Sequence, residues 1–127
     1  LFIVYRESFA DSKKILDKYS IGVAHHKAIH LISMYEGITI SSLLKKLKVT
    51  KQSLNRVLND LIKLDTITFK KDQKDTRVKH IFLNEKGKVL FKEIFTLQKN
   101  RIYSALLNSS SEEVLSFDNV LKKIINE

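Results

Sequence analysis

Thr50-Lys51-Gln52-Ser53-Leu54-Asn55-Arg56-Val57-Leu58-Asn59-Asp60-Leu61-Ile62-Lys63-Leu64 is the stretch on which the fold turns. Read as a helix, it places Leu54, Val57, Leu58, Leu61 and Leu64 at three- and four-residue spacings on one face. Gln52, Asn55, Arg56, Asn59 and Lys63 fall on the opposite face, with Asp60 at its edge. Amide side chains pair with adenine edges and arginine with guanine edges. Lys51 falls in the first turn, where a cation opposes the helix dipole unless an anion such as phosphate is near. A solvated surface helix would carry a similar face, so the flanking sequence has to decide.

Working backwards, Thr39 opens a short helix, Ile40 to Lys48, with Leu43, Leu44 and Leu47 inward. Val49-Thr50 is a tight junction, and Thr50 is a natural N-cap for the next helix. Two helices so joined, the second with a polar outer face, predict a helix-turn-helix. Lys48 stands where glycine is common. Further upstream a helix is expected from Val23 to Tyr35, burying Ala24, Ala28, Leu31, Ile32 and Tyr35 and ending at Gly37. Residues 1–19 read as one more helix, with Ser20 as a cap before the next.

Working forwards, Asp65 closes the central helix in a position that tolerates left-handed backbone. Ile67 and Phe69, then Val78, His80 and Phe82, alternate as in a two-stranded ribbon. The intervening segment, Lys70 to Arg77, holds four cations and is too polar to bury. A hairpin directly after a helix-turn-helix is a wing. Asn84 caps a long helix to about Leu107. Ser110 and Glu113, at capping-box spacing, open a last helix carrying Val114, Phe117, Val120, Leu121, Ile124 and Ile125 on one side. The terminal helices hold more apolar surface than a winged domain can cover, which predicts a dimer.

Charge distribution agrees. Of 23 Lys and Arg against 14 Asp and Glu in 127 residues, giving net +9, the segment Ser41–His80 holds 11 against 4. A local basic excess points to a polyanion, nucleic acid ahead of an anionic membrane surface. With no Cys, disulfides and thiolate metal sites are excluded. No apolar run long enough to span a membrane occurs. A cytoplasmic protein is expected; Leu1 is not a natural start, which predicts a trimmed N-terminus. There is no Gly-rich phosphate loop and no catalytic set, so no enzyme and no cofactor are expected.

The order of elements and its motifs resemble the MarR family of winged helix-turn-helix regulators across nearly the whole chain. The most specific part is Asp75-Thr76-Arg77, Val78 to Leu83, then Asn84-Glu85-Lys86-Gly87. It is similar to the family's D-x-R wing signature and the T-x-x-G start of its long helix. Asn84 stands for the usual Thr, and the usual wing Pro is absent. Thr39 to Leu43 and Lys51 to Arg56 also match. The resemblance implies a mainly α fold with a small β wing, a winged helix-turn-helix plus a helical dimerisation region. The chain would form one domain, with 20–87 the DNA-binding part and 1–19 and 88–127 the dimerisation part. It further implies a homodimeric regulator of double-stranded DNA at a pseudo-palindromic operator, a repressor relieved by a small ligand. Phenolic or other small anions often serve as that ligand, in a pocket between the long helices and the winged part.

Thr50 to Arg56 would then enter the major groove and Arg77 the minor groove, where narrow geometry concentrates negative potential. The expected DNA-binding set is Ser41, Thr50, Lys51, Gln52, Ser53, Asn55, Arg56, Lys70, Lys71, Lys74, Asp75, Arg77 and Lys79. Gln52, Asn55 and Arg56 are the base readers; Lys70, Lys71, Lys74 and Lys79 meet phosphates. Asp75 would pair with Arg77 or steady the wing backbone. A protein-interaction or architectural winged-helix module with weak DNA binding is the alternative, and exposed large apolar groups on the central helix would favour it. His26 and His30, at i and i+4 beside His25, have a metal-binding spacing. With no Cys, a third ligand would have to come from Glu36, Asp17 or a distant acid, and exposed or capping histidines without metal are expected.

Overall fold

The computed structural model describes residues 1–125. Short helices α1 (Phe2–Ala10) and α2 (Lys13–Lys18) precede α3 (Val23–Met34). Strand β1 (Ile38–Thr39) leads into α4 (Ile40–Leu47) and α5 (Lys51–Lys63). Strands β2 (Ile67–Lys71) and β3 (Lys79–Leu83) form the wing, followed by α6 (Glu85–Leu107) and α7 (Ser111–Ile125). The small sheet is antiparallel in the order β1-β3-β2.

The joints follow local chemistry. Thr39 Oγ1 accepts the Ser42 N–H and Thr50 Oγ1 accepts the Ser53 N–H, each at 3.1 Å, capping α4 and α5. Lys48 takes a left-handed conformation, φ 53°, and turns the chain between them without glycine. Asp65 does the same after α5, φ 56°. Asn84 Oδ1 accepts the Gly87 N–H at 2.8 Å, and its Nδ2 donates to the Asp65 carbonyl at 2.7 Å, fastening the start of α6 to the end of α5. Ser110 and Glu113 exchange both capping-box bonds.

The core gathers Ala28, Ile29 and Ile32 of α3, Leu43 of α4, Leu54, Val57, Leu58 and Leu61 of α5, Ile67, Ile81 and Leu83 of the wing, and Leu90 and Ile94 of α6. Leu54, Val57, Leu58 and Leu61 are buried as expected, and Leu64 is half-buried.

Four expectations are corrected. Residues 1–19 form two helices, because the buried Ser12 hydroxyl donates to the Phe9 carbonyl at 3.1 Å and competes with helix continuation. The buried face of α3 is rotated: His26, Ala28, Ile29 and Ile32 are inside, whereas Ala24 and Tyr35 are exposed, because α3 packs against α4, α5, β3 and α6 together. In β3 the core residues are Ile81 and Leu83, set by pairing of Phe69 with Ile81 and Ile67 with Leu83. Val78 lies before the strand and closes the wing loop, its N–H donating to the Asp75 carbonyl at 3.0 Å. The cap of α3 is Gly22 rather than Ser20.

Candidate nucleic-acid interface

Helix α5 presents Lys51, Gln52, Ser53, Asn55, Arg56, Asn59 and Lys63 to solvent, and Ser41 of α4 and Thr50 are also exposed. No acid lies in its first turn. The remaining acid, Asp60, turns inward to α3: its Oδ2 accepts from His25 Nε2 at 2.8 Å. His25 Nδ1 accepts the Gly22 N–H at 3.0 Å, so the ring proton is on Nε2. His25 is thus a cap that also fixes α5, and Asp60 does not interrupt the cationic face. Ile62, at the far end of α5, is the exposed large apolar residue of this helix.

The wing tip is a chain of carboxylate turns. Asp72 Oδ2 accepts the backbone N–H groups of Lys74 and Asp75, both at 3.0 Å. Asp75 Oδ1 accepts the Arg77 N–H at 3.0 Å and its Nε–H at 3.1 Å, while Oδ2 accepts from Nη2 at 3.3 Å. Asp75 therefore does both things expected of it. The Arg77 guanidinium beside it holds the Asp75 carboxyl below the usual carboxylate range, with the Arg77 backbone N–H adding to the effect. The Arg77 side chain is 89% exposed, so this pair is solvent-screened and leaves the cation available.

Lys70, Lys71, Lys74 and Lys79 are exposed on the same wing. Two of them hold their ammonium groups over wing aromatics: Lys70 Nζ lies 5.0 Å from the Phe82 ring centre and Lys79 Nζ 6.0 Å from that of Phe69. The sequence reading missed the link between wing and helix-turn-helix, which runs through His80. Its Nδ1 lies 2.7 Å from the Gly37 carbonyl and its Nε2 2.9 Å from Asp72 Oδ1. Only the alternation of His80 with Phe82 hinted that His80 faced something.

His26 and His30 correct the expectation of exposed histidines. His26 is buried, its ring tilted against Phe9 at 5.2 Å between centres and its Nδ1 3.4 Å from the Ser12 hydroxyl. Burial first, then the neighbouring His30, disfavours its charged form. His30 packs 5.7 Å from Phe91, and burial lowers it too. Among the described residues no cluster of three or more His, Cys, Asp or Glu is placed to hold a metal. Both rings line a cavity of about 400 Å³ between the N-terminal helices, α3, α4 and α6, with Phe9, Lys27, Lys46 and Gln98.

Comparisons with known proteins place this geometry. A sequence model of the MarR family matches residues 19–78. The HTH-type transcriptional regulator PetP of Rhodobacter capsulatus is 39% identical over 126 residues, spanning 99% of this chain and 76% of PetP. A crystal structure of a MepR mutant from a multidrug-resistant S. aureus isolate superposes with a TM-score of 0.84 at 20% identity, covering 98% of this chain and 91% of the other. The S. aureus MepR–DNA complex gives 0.76 at 20% identity over 98% and 92%. The two structural likenesses are likenesses of fold.

Proposed function

The chain belongs to the MarR family of transcription regulators, and we propose that it acts as a homodimeric, sequence-specific binder of double-stranded DNA. The observation that carries the reading is the face of α5: amides and cations outward, its one acid turned away to His25. Thr50, Lys51, Gln52, Ser53, Asn55 and Arg56 enter a major groove, joined by Ser41 at the backbone. Arg77 enters the adjacent minor groove, and Lys70, Lys71, Lys74 and Lys79 hold phosphates. The winged part is 20–87. The polyanion is nucleic acid rather than a lipid surface, because the apolar face of α5 is used by the core.

Residues 1–19 and 88–127 are the dimerisation part. In support, α1 and α7 contribute no buried residue, and Phe2, Ile3, Leu107, Leu115, Ile124 and Ile125 are exposed. Two protomers related by a dyad read a pseudo-palindromic operator with half-sites spaced about one helical turn, ~10 base pairs. The protein is a cytoplasmic repressor. A small anionic effector enters the cavity lined by Lys27, Lys46, His26 and His30, whose place between winged part and long helices lets it bias one against the other. Among the described residues, no helix is long and apolar enough to cross a membrane.

Selection of bound duplexes from a random pool, followed by fluorescence anisotropy on the enriched sequence, tests this reading. The expected result is a dyad-symmetric consensus whose affinity falls ~10³–10⁵-fold between 50 and 200 mM salt, for about 6–10 phosphate contacts. No enrichment and a flat salt dependence would favour the protein-interaction alternative. Light scattering at micromolar concentration tests the dimer; a clean 14.7 kDa monomer would defeat it.

A further inference from the structure

The environment of His80 specifies the number of protons on its ring. Nδ1 faces the Gly37 carbonyl at 2.7 Å, and a carbonyl oxygen only accepts. Nε2 faces Asp72 Oδ1 at 2.9 Å, and the other oxygen of that carboxylate already accepts two backbone N–H groups. Such a carboxylate is held ionised and has no proton to offer. Both bonds therefore form together only when both ring nitrogens carry a proton. A neutral imidazole satisfies one and leaves two acceptors facing each other at the second.

These two bonds join parts distant in sequence. Gly37 belongs to the junction between α3 and β1, and its N–H donates to the Ile81 carbonyl at 3.0 Å. Asp72 begins the wing loop. Through its other oxygen it orders Lys74 and Asp75, and Asp75 in turn orients the Arg77 guanidinium. We propose that His80, as an imidazolium, is the positioning residue of the wing, tying Asp72 to the Gly37 junction and so aiming Arg77. This rests on the DNA-binding reading only for its effect on DNA; the state of the ring stands apart from it.

Other charged groups surround the ring without replacing these partners. Lys70 is its cross-strand neighbour on β2, with its ammonium over Phe82. Lys71 and Lys74 line the same shallow cleft, Lys79 precedes the ring on β3, and Glu36 precedes Gly37 in the junction. On the β1 side His80 pairs with uncharged Thr39. Asp72, then Gly37, raise the ring above the ordinary imidazole value of about 6.5, and His80 lowers Asp72 correspondingly. A group raised on folding contributes order that is fully present below about pH 6.5 and is lost as pH rises through its folded value. Wing order, and with it duplex affinity, falls on the alkaline side.

The test is two-dimensional nitrogen NMR of the histidine rings in the full-length protein from pH 5 to 9, with His80→Gln assigning the signal and Asp72→Asn removing the carboxylate. The expected spectrum at neutral pH shows both His80 nitrogens protonated, with the Lys74 and Asp75 amide shifts following the same titration. In Asp72→Asn the ring titrates at lower pH. Anisotropy on the selected duplex should show affinity falling up to about tenfold per pH unit per wing above the titration, and His80→Gln should flatten that profile while melting as a folded protein. A singly protonated ring at pH 7, or a pH profile unchanged in His80→Gln, overturns the proposal. A doubly protonated ring in a protein that binds no duplex at any pH defeats the DNA reading instead and upholds the assignment of the ring.

Discussion

Replacing Gly87 by alanine tests the joint between wing and long helix, with a sign opposite to helix propensity. In an open helix the change stabilises by about 1 kcal/mol. Gly87 lies buried in the first turn of α6, and a Cβ there would fall far inside contact with the Thr66 carbonyl oxygen, 3.0 Å from its carbonyl carbon and 3.3 Å from Leu83 Cδ2. The obstacle is backbone, and it is held. The Thr66 N–H donates to the Leu61 carbonyl at 3.1 Å, its hydroxyl donates to the same oxygen at 2.8 Å, and its carbonyl accepts the Asn84 N–H at 3.0 Å. The start of α6 must therefore lift, breaking the Asn84 bond at about 1 kcal/mol and straining the packing by about 1–3 kcal/mol. Against the propensity gain the net loss is about 1–3 kcal/mol, towards the upper end because no flexible side chain can absorb the contact. Urea unfolding followed by circular dichroism, at fixed protomer concentration, measures it. Gly22→Ala is the control: its Cβ meets only His25 Nδ1 at 4.0 Å, so a change below about 1 kcal/mol is expected. A Gly87→Ala midpoint at or above the parent, with unchanged slope, would mean that the Thr66 carbonyl does not oppose a side chain at this position.

Thr50→Ala removes the cap of α5 and should cost about 1 kcal/mol in the same unfolding assay; no loss would mean that the 3.1 Å bond to Ser53 contributes nothing. Arg77→Ala should change stability by no more than about 0.5 kcal/mol, because its pair with Asp75 is exposed, yet weaken duplex binding in anisotropy. Unchanged affinity in a folded variant would remove Arg77 from the interface. Asp11→Asn breaks the link to Arg101, whose Nη2 donates to Asp11 Oδ1 at 2.9 Å. Because Arg101 holds Asp11 below the usual carboxylate range, that link's contribution is present at neutral pH and lost on acidification. The variant should therefore be less stable than the parent at neutral pH, with the difference closing as pH falls through the lowered Asp11 value; a stability difference that does not change with pH would contradict this.

What was legible in the sequence was legible locally. The helix-turn-helix declared itself because caps, a 3.6-residue apolar period and a short junction lie within 26 residues, from Thr39 to Leu64. Asn84 and Asp65 were readable from residue type for the same reason. The rotated face of α3 was not, because α3 is packed against α4, α5, β3 and α6 together, and the last two lie more than 40 residues away in sequence. Strand β1 has two residues, too few to show alternation. The phase of β3 failed because Val78, apolar and adjacent, was counted with a strand that begins at Lys79. The exposure of the polar residues on α5 and the wing was readable from type and position, whereas the contacts of His80 were not, because one of its partners is Gly37, 43 residues earlier.

On the proposed reading, α5 reads base edges while the wing lysines only position the protein. Arg56→Ala and Lys71→Ala, each assayed on the selected duplex and on a scrambled one, test it most directly. Arg56→Ala should lose about 1–3 kcal/mol per half-site on the selected duplex, little on the scrambled one, and relax preference at one base pair. Lys71→Ala should weaken both duplexes about equally and lower the salt slope by about one per wing. Equal loss from Arg56→Ala on both duplexes would make it a phosphate contact; if neither variant distinguishes the two duplexes, α5 is not a recognition helix.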